Sequence, residues 1–339
     1  MRICILTQYF YPEIGAPQAR LFELAEHLDS KGHELIILTA MPNYPTGKIF
    51  HGYKGFYKKE MNNNLLIHRA YIYPSKSVKF IPRLLNYFSF VFSSLFIGLY
   101  KLPKLDLIIT ESPPLFLGIS GYIISKFKKS KFIFNVSDLW PESAVNLNIV
   151  KDGFFLKLAY KLEEFFYKKS WLITGQSFEI IKNINMRFPC LKTYRLSNGV
   201  NINRYSSKFK SDILSLWSNE KKFTLVYAGL HGIAQGLDQI VEVAKNIKTS
   251  QNDLQIILIG DGNEKEKLKN MASNLDNITF VKPQKKEKMP EIWASADIGF
   301  ISLKQYIPGA VPSKLYEVMS SEIPVLFVGE GEAADIVNK

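Results

Sequence analysis

Short apolar runs alternate with helix-length segments along most of the chain, and this alternation constrains the fold more than any other feature. Five such runs lie in the first half, at residues 3–7, 35–39, 105–110, 132–136 and 172–174. Continuous apolar runs separated by helices are typical of βαβ units, in which helices cover both faces of a parallel sheet. The pattern therefore predicts an α/β fold with a doubly wound sheet.

The same alternation begins again after about residue 190. Strand-like runs at 224–228, 254–260, 278–281, 298–302 and 324–328 are separated by helix-length segments. A chain of 339 residues also exceeds what one hydrophobic core usually supports. We therefore predict two Rossmann-like domains, residues 1–197 and 198–339, joined near an Asn198-Gly199 turn signal. Two such domains are expected to face a cleft that binds ligands.

Basic residues outnumber acidic ones by 43 to 31, a net charge of +12, which favours an anionic partner. Residues 76–131 contain nine of the bases and two acids. Within this segment, residues 84–100 predict a helix with a Phe-rich face and basic ends. We interpret it as a peripheral contact with an anionic membrane through Phe88, Phe92 and Phe96, while Asn86, Ser89, Ser93 and Gly98 pack on the sheet. A core helix and a transmembrane span remain alternatives, and nucleic acid is disfavoured.

Several classes of site are excluded or disfavoured. Cys4 and Cys190 are isolated, which argues against a disulfide framework or a zinc site and favours the cytosol. No sequence pattern for a metal, a Walker loop or a nucleophile elbow is present, and we predict neither a metal nor a bound cofactor. The Gly260 turn resembles a dinucleotide fingerprint, but Lys265 stands at its third glycine position, so NAD is disfavoured.

The most specific stretch begins at Pro312 and Ser313, which predict the start of a helix. Lys314 lies in its first turn and Glu317 follows three residues later on nearly the same face. A cation and a carboxylate together suit a nucleoside diphosphate, because Lys314 can meet the phosphates while Glu317 accepts from the ribose hydroxyls. The alternative is a surface ion pair worth about 0 to 1 kcal/mol.

The chain resembles glycosyltransferase family 4, whose members have the GT-B fold, and more narrowly bacterial O-antigen and capsule transferases such as N-acetyl-L-fucosamine transferases. The resemblance runs through most of the chain and is carried by Tyr11-Pro-Glu-Ile-Gly-Ala16, Gly32-His33-Glu34, Pro42-Asn-Tyr-Pro-Thr-Gly47, Ser112-Pro113-Pro114, Asp138-Leu-Trp-Pro-Glu-Ser143, Asn198-Gly199-Val200, Tyr227-Ala-Gly-Leu-His-Gly-Ile-Ala-Gln-Gly236, the Gly260 turn and Pro312-Ser-Lys-Leu-Tyr-Glu317.

The resemblance implies a retaining, metal-independent transferase that takes a sugar from a UDP-sugar donor. It places Asp138 near the reacting sugar, against an alternative role in helix capping or loop bracing, and Arg20 at the acceptor or a phosphate, against an ion pair. The donor nucleotide and its phosphates are expected to contact Gly15, Ala16, Gly229, Gly262, Ser313, Lys314 and Glu317.

The sequence also departs from the family pattern. Gly309 replaces the acid expected eight residues before Glu317, and Leu230 and Gln235 replace an expected Arg and Lys. The family's closing helices, which would return to the first domain, are not found before Lys339, so we expect a truncated second domain.

The implied activity is transfer of a sugar, such as N-acetyl-L-fucosamine or another N-acetylated sugar, to an undecaprenyl-pyrophosphate-linked saccharide. This reaction belongs to O-antigen, capsule or exopolysaccharide synthesis. We expect the protein to be cytoplasmic and peripheral at the inner face of the plasma membrane. A non-catalytic nucleotide-sugar or lipid-binding protein and a nucleotide-sugar epimerase of the same architecture remain alternatives.

Overall fold

The computed structural model describes residues 1–13, 15–77, 80–146, 153–217, 222–248 and 253–339. The chain divides into two compact units, Met1–Ser197 and Asn198–Lys339, at the residue where the sequence places the join. The roles assigned to the two domains stay predictions.

Unit 1 is built on an eight-stranded sheet in the order β3-β4-β2-β1-β5-β6-β7-β8. Its strands are β1 (Arg2–Leu6), β2 (Glu34–Ala40), β3 (Tyr57–Asn62), β4 (Leu65–Ala70), β5 (Leu107–Ser112), β6 (Lys131–Val136), β7 (Leu172–Gly175) and β8 (Thr193–Arg195). All neighbouring strands are parallel except β3, which pairs antiparallel with β4. This antiparallel edge strand is polar, and the periodicity of the sequence did not predict it.

The helices of unit 1 connect these strands and cover the sheet. They are α1 (Ala16–Ser30), α2 (Phe80–Lys101), α3 (Leu117–Lys128), α4 (Glu142–Asn146), α5 (Phe154–Lys169) and α6 (Phe178–Arg187). Helix α1 has Pro17 in its first turn and is followed by Lys31 and Gly32, as predicted. Gly32 has a φ of +81°, a backbone conformation that favours glycine. Helix α2 is longer than the predicted 84–100.

Unit 2 has a five-stranded, fully parallel sheet in the order β11-β10-β9-β12-β13. Its strands are β9 (Phe223–Leu230), β10 (Leu254–Asp261), β11 (Ile278–Val281), β12 (Ile298–Ser302) and β13 (Val325–Val328). Its helices are α7 (Asp238–Lys248), α8 (Lys265–Met271), α9 (Met289–Ser295), α10 (Ser313–Ser320) and α11 (Glu332–Val337). Buried apolar clusters lie on both faces of this sheet, so the doubly wound arrangement is confirmed.

Candidate functional site

Three glycines form the floor of the candidate site in unit 2, where the carboxyl ends of β9 and β10 meet. A Cβ at Gly260 would lie 1.8 Å from the Gly229 carbonyl oxygen, and one at Gly262 would lie 2.3 Å from the His231 carbonyl oxygen. Because these obstacles are backbone atoms, both positions require glycine. The loops after β9 and β10 therefore pack backbone against backbone.

Lys314 lies on this glycine floor. A Cβ added to Gly229 would lie 2.1 Å from the Lys314 Cε and 2.3 Å from its Nζ, so the absence of a side chain at 229 makes room for the ammonium group. The ammonium also stands 5.8 Å from the centre of the Tyr227 ring. Burial lowers the pKa of Lys314, and the nearby Glu317 carboxylate opposes that shift. The structure thus brings together Gly229 and Lys314, which the sequence had named separately.

Glu317 is held from the other side by a tryptophan. The Trp293 Nε1 donates to the Glu317 Oε2 at 3.2 Å, and Trp293 is fully buried. One carboxylate oxygen is thereby oriented within unit 2. Ser313 begins α10 as predicted, directly before Lys314, and Pro312 occupies the N-cap position.

Gly262 and Gly309 behave differently from their expected roles. The Gly262 amide donates to the Asp261 Oδ1 at 2.9 Å, so the phosphate contact predicted for Gly262 stays a prediction that this bond does not favour. Gly309, where the family pattern has an acid, adopts a φ of +75°. A glutamate would be strained in that conformation, so the loop before α10 is built for glycine.

Sequence reasoning missed two buried residues beside the glycine floor. The Lys265 ammonium donates to the Gly260 carbonyl at 2.5 Å and the Val281 carbonyl at 3.3 Å, so the lysine closes the ends of β10 and β11. His231 is fully buried between Tyr227 and Phe280. Burial and, next, the Lys265 charge lower the His231 pKa to about 4, which makes the ring neutral at pH 7. The sequence feature that could have drawn attention to both residues was the Gly260 turn.

The loop that carries Gly15 and Ala16 is fixed in unit 1 by a buried carboxylate, Glu13. Its Oε1 accepts from the amides of Asn43 at 2.7 Å and Tyr44 at 2.8 Å, which joins the loops after β1 and β2. Burial raises the Glu13 pKa, and these backbone donors oppose the shift. Gly15 has extended backbone before α1, and Ala16 is the first helical residue.

Arg20 is committed to a polar network inside unit 1. Its guanidinium donates to the Gln176 Oε1 at 2.6 Å and to the Ser137 Oγ at 2.6 Å, and it forms an ion pair with the buried Glu111. Glu111 also accepts from the Asn135 amide at 2.5 Å. The acceptor or phosphate contact predicted for Arg20 therefore stays a prediction that this geometry does not favour, because a carboxylate already neutralises the charge.

Asp138 follows β6 and is half-buried at the carboxyl edge of the sheet. Burial raises its pKa, while hydrogen bonds from the Ser143 side chain and the Leu139 amide oppose the shift. These contacts brace the segment that leads into α4, which is the alternative role considered from the sequence. The same carboxyl group holds a proton more readily than an exposed aspartate does, so bracing and proton handling are compatible here.

Helix α2 presents an apolar stripe to solvent. Phe92, Phe96 and Tyr100 are 66%, 51% and 72% exposed, whereas Asn86 and Ser93 on the other side are buried, as predicted. Phe88 is half-buried with its ring centre 4.9 Å from that of Phe116, so the lipid contact expected of it stays a prediction. Within the described residues, the segment Ile81–Lys101 is long and apolar enough to cross a membrane, although 39% of its most apolar window is buried, and core helices share these properties.

Metal ligands are not clustered in the part of the chain that the structure describes. No group of three or more His, Cys, Asp or Glu side chains there is placed to hold an ion.

Comparison with known proteins gives a family match within the second unit and a relative over most of the chain. Residues 210–339 match the family model "Glycosyl transferases group 1". A curated relative, the putative colanic acid biosynthesis glycosyl transferase WcaI of Escherichia coli K12, is 24% identical, and the match covers 94% of this chain and 81% of that protein.

Solved glycosyltransferase structures share the architecture. Sucrose-phosphate synthase from Thermosynechococcus elongatus superimposes with a TM-score of 0.71 at 15% identity, covering 97% of this chain and 82% of that one. HepE of Anabaena, solved in complex with UDP-glucose, gives a TM-score of 0.68 at 13% identity, covering 100% and 88%. The chain therefore has the GT-B fold, and residues 210–339 of its second unit are similar to the group 1 glycosyl transferases.

Proposed function

We propose that the protein is a retaining glycosyltransferase that moves a sugar from a UDP-sugar to an undecaprenyl-diphosphate-linked saccharide. One observation carries the donor half of this proposal: the Lys314 ammonium lies on a floor without side chains, one turn before Glu317. The relative WcaI, described as a putative colanic acid transferase, and HepE, solved with UDP-glucose, support a role in polysaccharide synthesis with a UDP donor.

In the proposed complex, the diphosphate lies over the glycine floor. Lys314 neutralises it, and Gly229 permits the close approach that a side chain would block. Glu317, oriented by the Trp293 N–H, accepts hydrogen bonds from the two ribose hydroxyls in this complex. A uracil base, a ribose and a diphosphate would then each meet unit 2, and the sugar would be presented for transfer.

Unit 1 supplies the acceptor side in this proposal. Gly15 and Ala16 offer the amino end of a 15-residue helix to a phosphate, and Asp138 contacts the reacting sugar or its proton. The apolar stripe of α2 rests on the inner face of the plasma membrane. Exposed bases near it, including Lys101, Lys104 and Lys126, would add attraction of roughly 1 kcal/mol each to an anionic surface.

Calorimetry with UDP, paired with product analysis, tests the proposal. Wild type should bind UDP without a divalent metal, and Glu317→Ala should weaken UDP by about 1 to 3 kcal/mol through the lost charged hydrogen bonds. A panel of UDP-N-acetyl sugars with a polyprenyl diphosphate saccharide should give a mass increase of one sugar. Asp138→Asn should lose turnover but keep UDP affinity and melting temperature. Unchanged UDP affinity in Glu317→Ala would remove the donor assignment.

A second candidate, a non-catalytic nucleotide-sugar binder, is favoured by Gly309, because the acid expected to touch the donor sugar is missing. This candidate predicts UDP-sugar binding with no transfer and no donor consumption. An epimerase would instead change the sugar without any lipid acceptor. Mass and chromatographic analysis of the donor distinguishes all three outcomes.

A further inference from the structure

Four aromatic side chains in unit 1 form a line from the exposed face of α2 to the loop of Asp138. We call this line the aromatic track, and its members are Phe92, Phe88, Phe116 and Trp140. Ring centres are 6.3 Å apart between Phe92 and Phe88, 4.9 Å between Phe88 and Phe116, and 5.8 Å between Phe116 and Trp140. Phe92 is exposed and the other three rings are half-buried. The line is continuous at ordinary aromatic contact distances.

Topology explains why the track reaches the candidate site. Helix α2 leaves the carboxyl end of β4 and α3 leaves the carboxyl end of β5, so Phe88 and Phe116 lie towards the edge of the sheet at which β6 ends. Trp140 is two residues beyond Asp138 in the loop after β6, and its amide donates to the Asp138 carbonyl at 2.8 Å. The track therefore connects the exposed aromatic face of α2 with Asp138, the residue that the proposed function puts at the reacting sugar.

A cation lies beside the inner part of the track. The Arg83 Nε donates to the Tyr87 hydroxyl at 2.8 Å, and the guanidinium stands 5.6 Å from the centre of that ring. The Tyr87 ring in turn lies 6.5 Å from Phe116. Arg83 is half-buried in the first turn of α2. A ligand that covers Phe88 and Phe116 would thus find a guanidinium within reach, oriented by a phenol rather than by a carboxylate.

We propose that the aromatic track binds the isoprenoid chain of a polyprenyl diphosphate and that Arg83 meets the diphosphate. The proposal rests on the proposed lipid-linked acceptor and adds the subsite that would hold it. The three phenylalanine rings of the track have no hydrogen-bonding group and suit a branched hydrocarbon, and a guanidinium suits a diphosphate. The chain would leave over Phe92 towards the membrane, and the diphosphate would lie near the Asp138 loop.

Binding of defined isoprenoid diphosphates tests the subsite without turnover. The probes are geranylgeranyl diphosphate, the shorter geranyl diphosphate and inorganic diphosphate, below their micelle concentrations. Wild type should bind the longest chain most tightly. Phe116→Ala should lose roughly tenfold in affinity for geranylgeranyl diphosphate and little for inorganic diphosphate, because one aromatic contact is removed. Arg83→Gln should weaken all three probes by a similar factor.

Two further variants show whether a loss of affinity is specific to the aromatic track. Phe127→Ala removes an exposed ring from the other end of α3 and should bind like wild type. If Phe116→Ala unfolds, Phe92→Ala, which changes an exposed ring, should still reduce the dependence on chain length. An unchanged dependence in folded Phe116→Ala or in Phe92→Ala, or an equal loss in Phe127→Ala, would refute the track.

Two further experiments distinguish the aromatic track from a general lipid surface and from the proposed donor site. Dihexanoyl phosphatidylglycerol offers acyl chains and an anionic headgroup, and equal competition by it would show a general lipid surface and refute an isoprenoid subsite. UDP calorimetry reports on unit 2 alone. Loss of UDP binding with intact chain-length dependence would contradict the proposed function but not the track, and the reverse result would contradict the track alone.

Discussion

The two units have the same kind of sheet, but the carboxyl edges of these sheets carry charge differently. In unit 1 the cation near the edge, Arg20, is paired with buried Glu111, and the loop before α1 is held by another buried carboxylate, Glu13. In unit 2 the Lys265 ammonium donates to backbone carbonyls. Lys314 lies on the glycine floor, and the nearby Glu317 carboxylate opposes the fall in its pKa that burial causes. Arg20 of unit 1 is therefore paired directly with a buried carboxylate, whereas Lys265 of unit 2 donates to neutral carbonyl oxygens.

We propose that this difference bears on the donor. In the proposed function the donor diphosphate lies beside Lys314 in unit 2, and Arg20 of unit 1, already paired with Glu111, takes no part in holding it. Fold alone would not have separated the units, because both are doubly wound sheets with a glycine loop after the first strand. Changing the charges of each unit separately tests the comparison.

The largest expected effect comes from Arg20→Met. It leaves Glu111 buried without its partner, and breaking a buried pair costs roughly 3 to 5 kcal/mol. Urea unfolding should show this loss, while the UDP affinity of the folded fraction stays at the wild-type value. Lys168→Met, which breaks an exposed pair with Glu164, should cost far less stability, because solvent screens that pair. If the two variants are equally stable, the unit 1 network contributes little.

Lys314→Met should weaken UDP by about 1.5 to 3 kcal/mol, because a charged hydrogen bond to the diphosphate is lost. Titration calorimetry measures it. Lys304→Met is the matched control, since Lys304 is an exposed lysine of unit 2 that pairs with Asp238. If both variants bind UDP with the same affinity, Lys314 does not contact the diphosphate, and the proposed difference between the units is wrong.

The sequence predicted most of the parallel strands because their apolar runs are continuous. Residues 278–281 and 298–302 coincide with β11 and β12. Strand β3, with the sequence Tyr-Lys-Lys-Glu-Met-Asn, was missed because it is a polar edge strand with one neighbour. The beginning of α2 was placed too late, since Pro82 is tolerated in a first helical turn.

Local spacing also predicted that Lys314 and Glu317 would share a helix start, and this is confirmed. Contacts between distant segments could not be read in the same way. Arg20 and Glu111 are 91 residues apart, and Glu317 and Trp293 are 24 apart on different helices. Such pairs depend on strand order and on which face of a helix packs on the sheet, and neither is encoded in the local sequence around the two residues.

We expect a fall in pH to lower the free energy of unfolding of both units, because each unit contains a buried histidine with a lowered pKa. Burial, as the largest cause, lowers the pKa of His68 in unit 1 and of His231 in unit 2 to about 4. Since an unfolded histidine titrates near 6.5, the unfolded chain binds more protons between these values. The stabilisation is complete above about pH 6.5 and is lost progressively as the pH falls towards 4.

Urea unfolding at a series of pH values checks this. His68→Gln and His231→Gln should each flatten the fall in stability between pH 6.5 and 4. His27→Gln, which changes an exposed ring, should leave the slope unaltered. A wild-type slope in both buried variants would mean that neither ring is held neutral by its surroundings.

The smallest expected effect compares one glycine from each unit. A methyl group at 229 would meet the Lys314 Cε at 2.1 Å, and one at 15 would meet the Gln18 Oε1 at 2.4 Å. Both obstacles are the ends of flexible side chains, but Gly229 has a φ of +157°, at which alanine is strained, so the melting temperature of Gly229→Ala is compared with that of wild type before its UDP affinity is measured. Gly229→Ala displaces a cation and should weaken UDP by about 1 kcal/mol, a fraction of the charged bond. Gly15→Ala displaces a neutral amide and should leave UDP affinity unchanged in calorimetry. If Gly15→Ala weakens UDP as much as Gly229→Ala does, unit 1 shares the diphosphate, and the division of charge between the units does not divide their ligands.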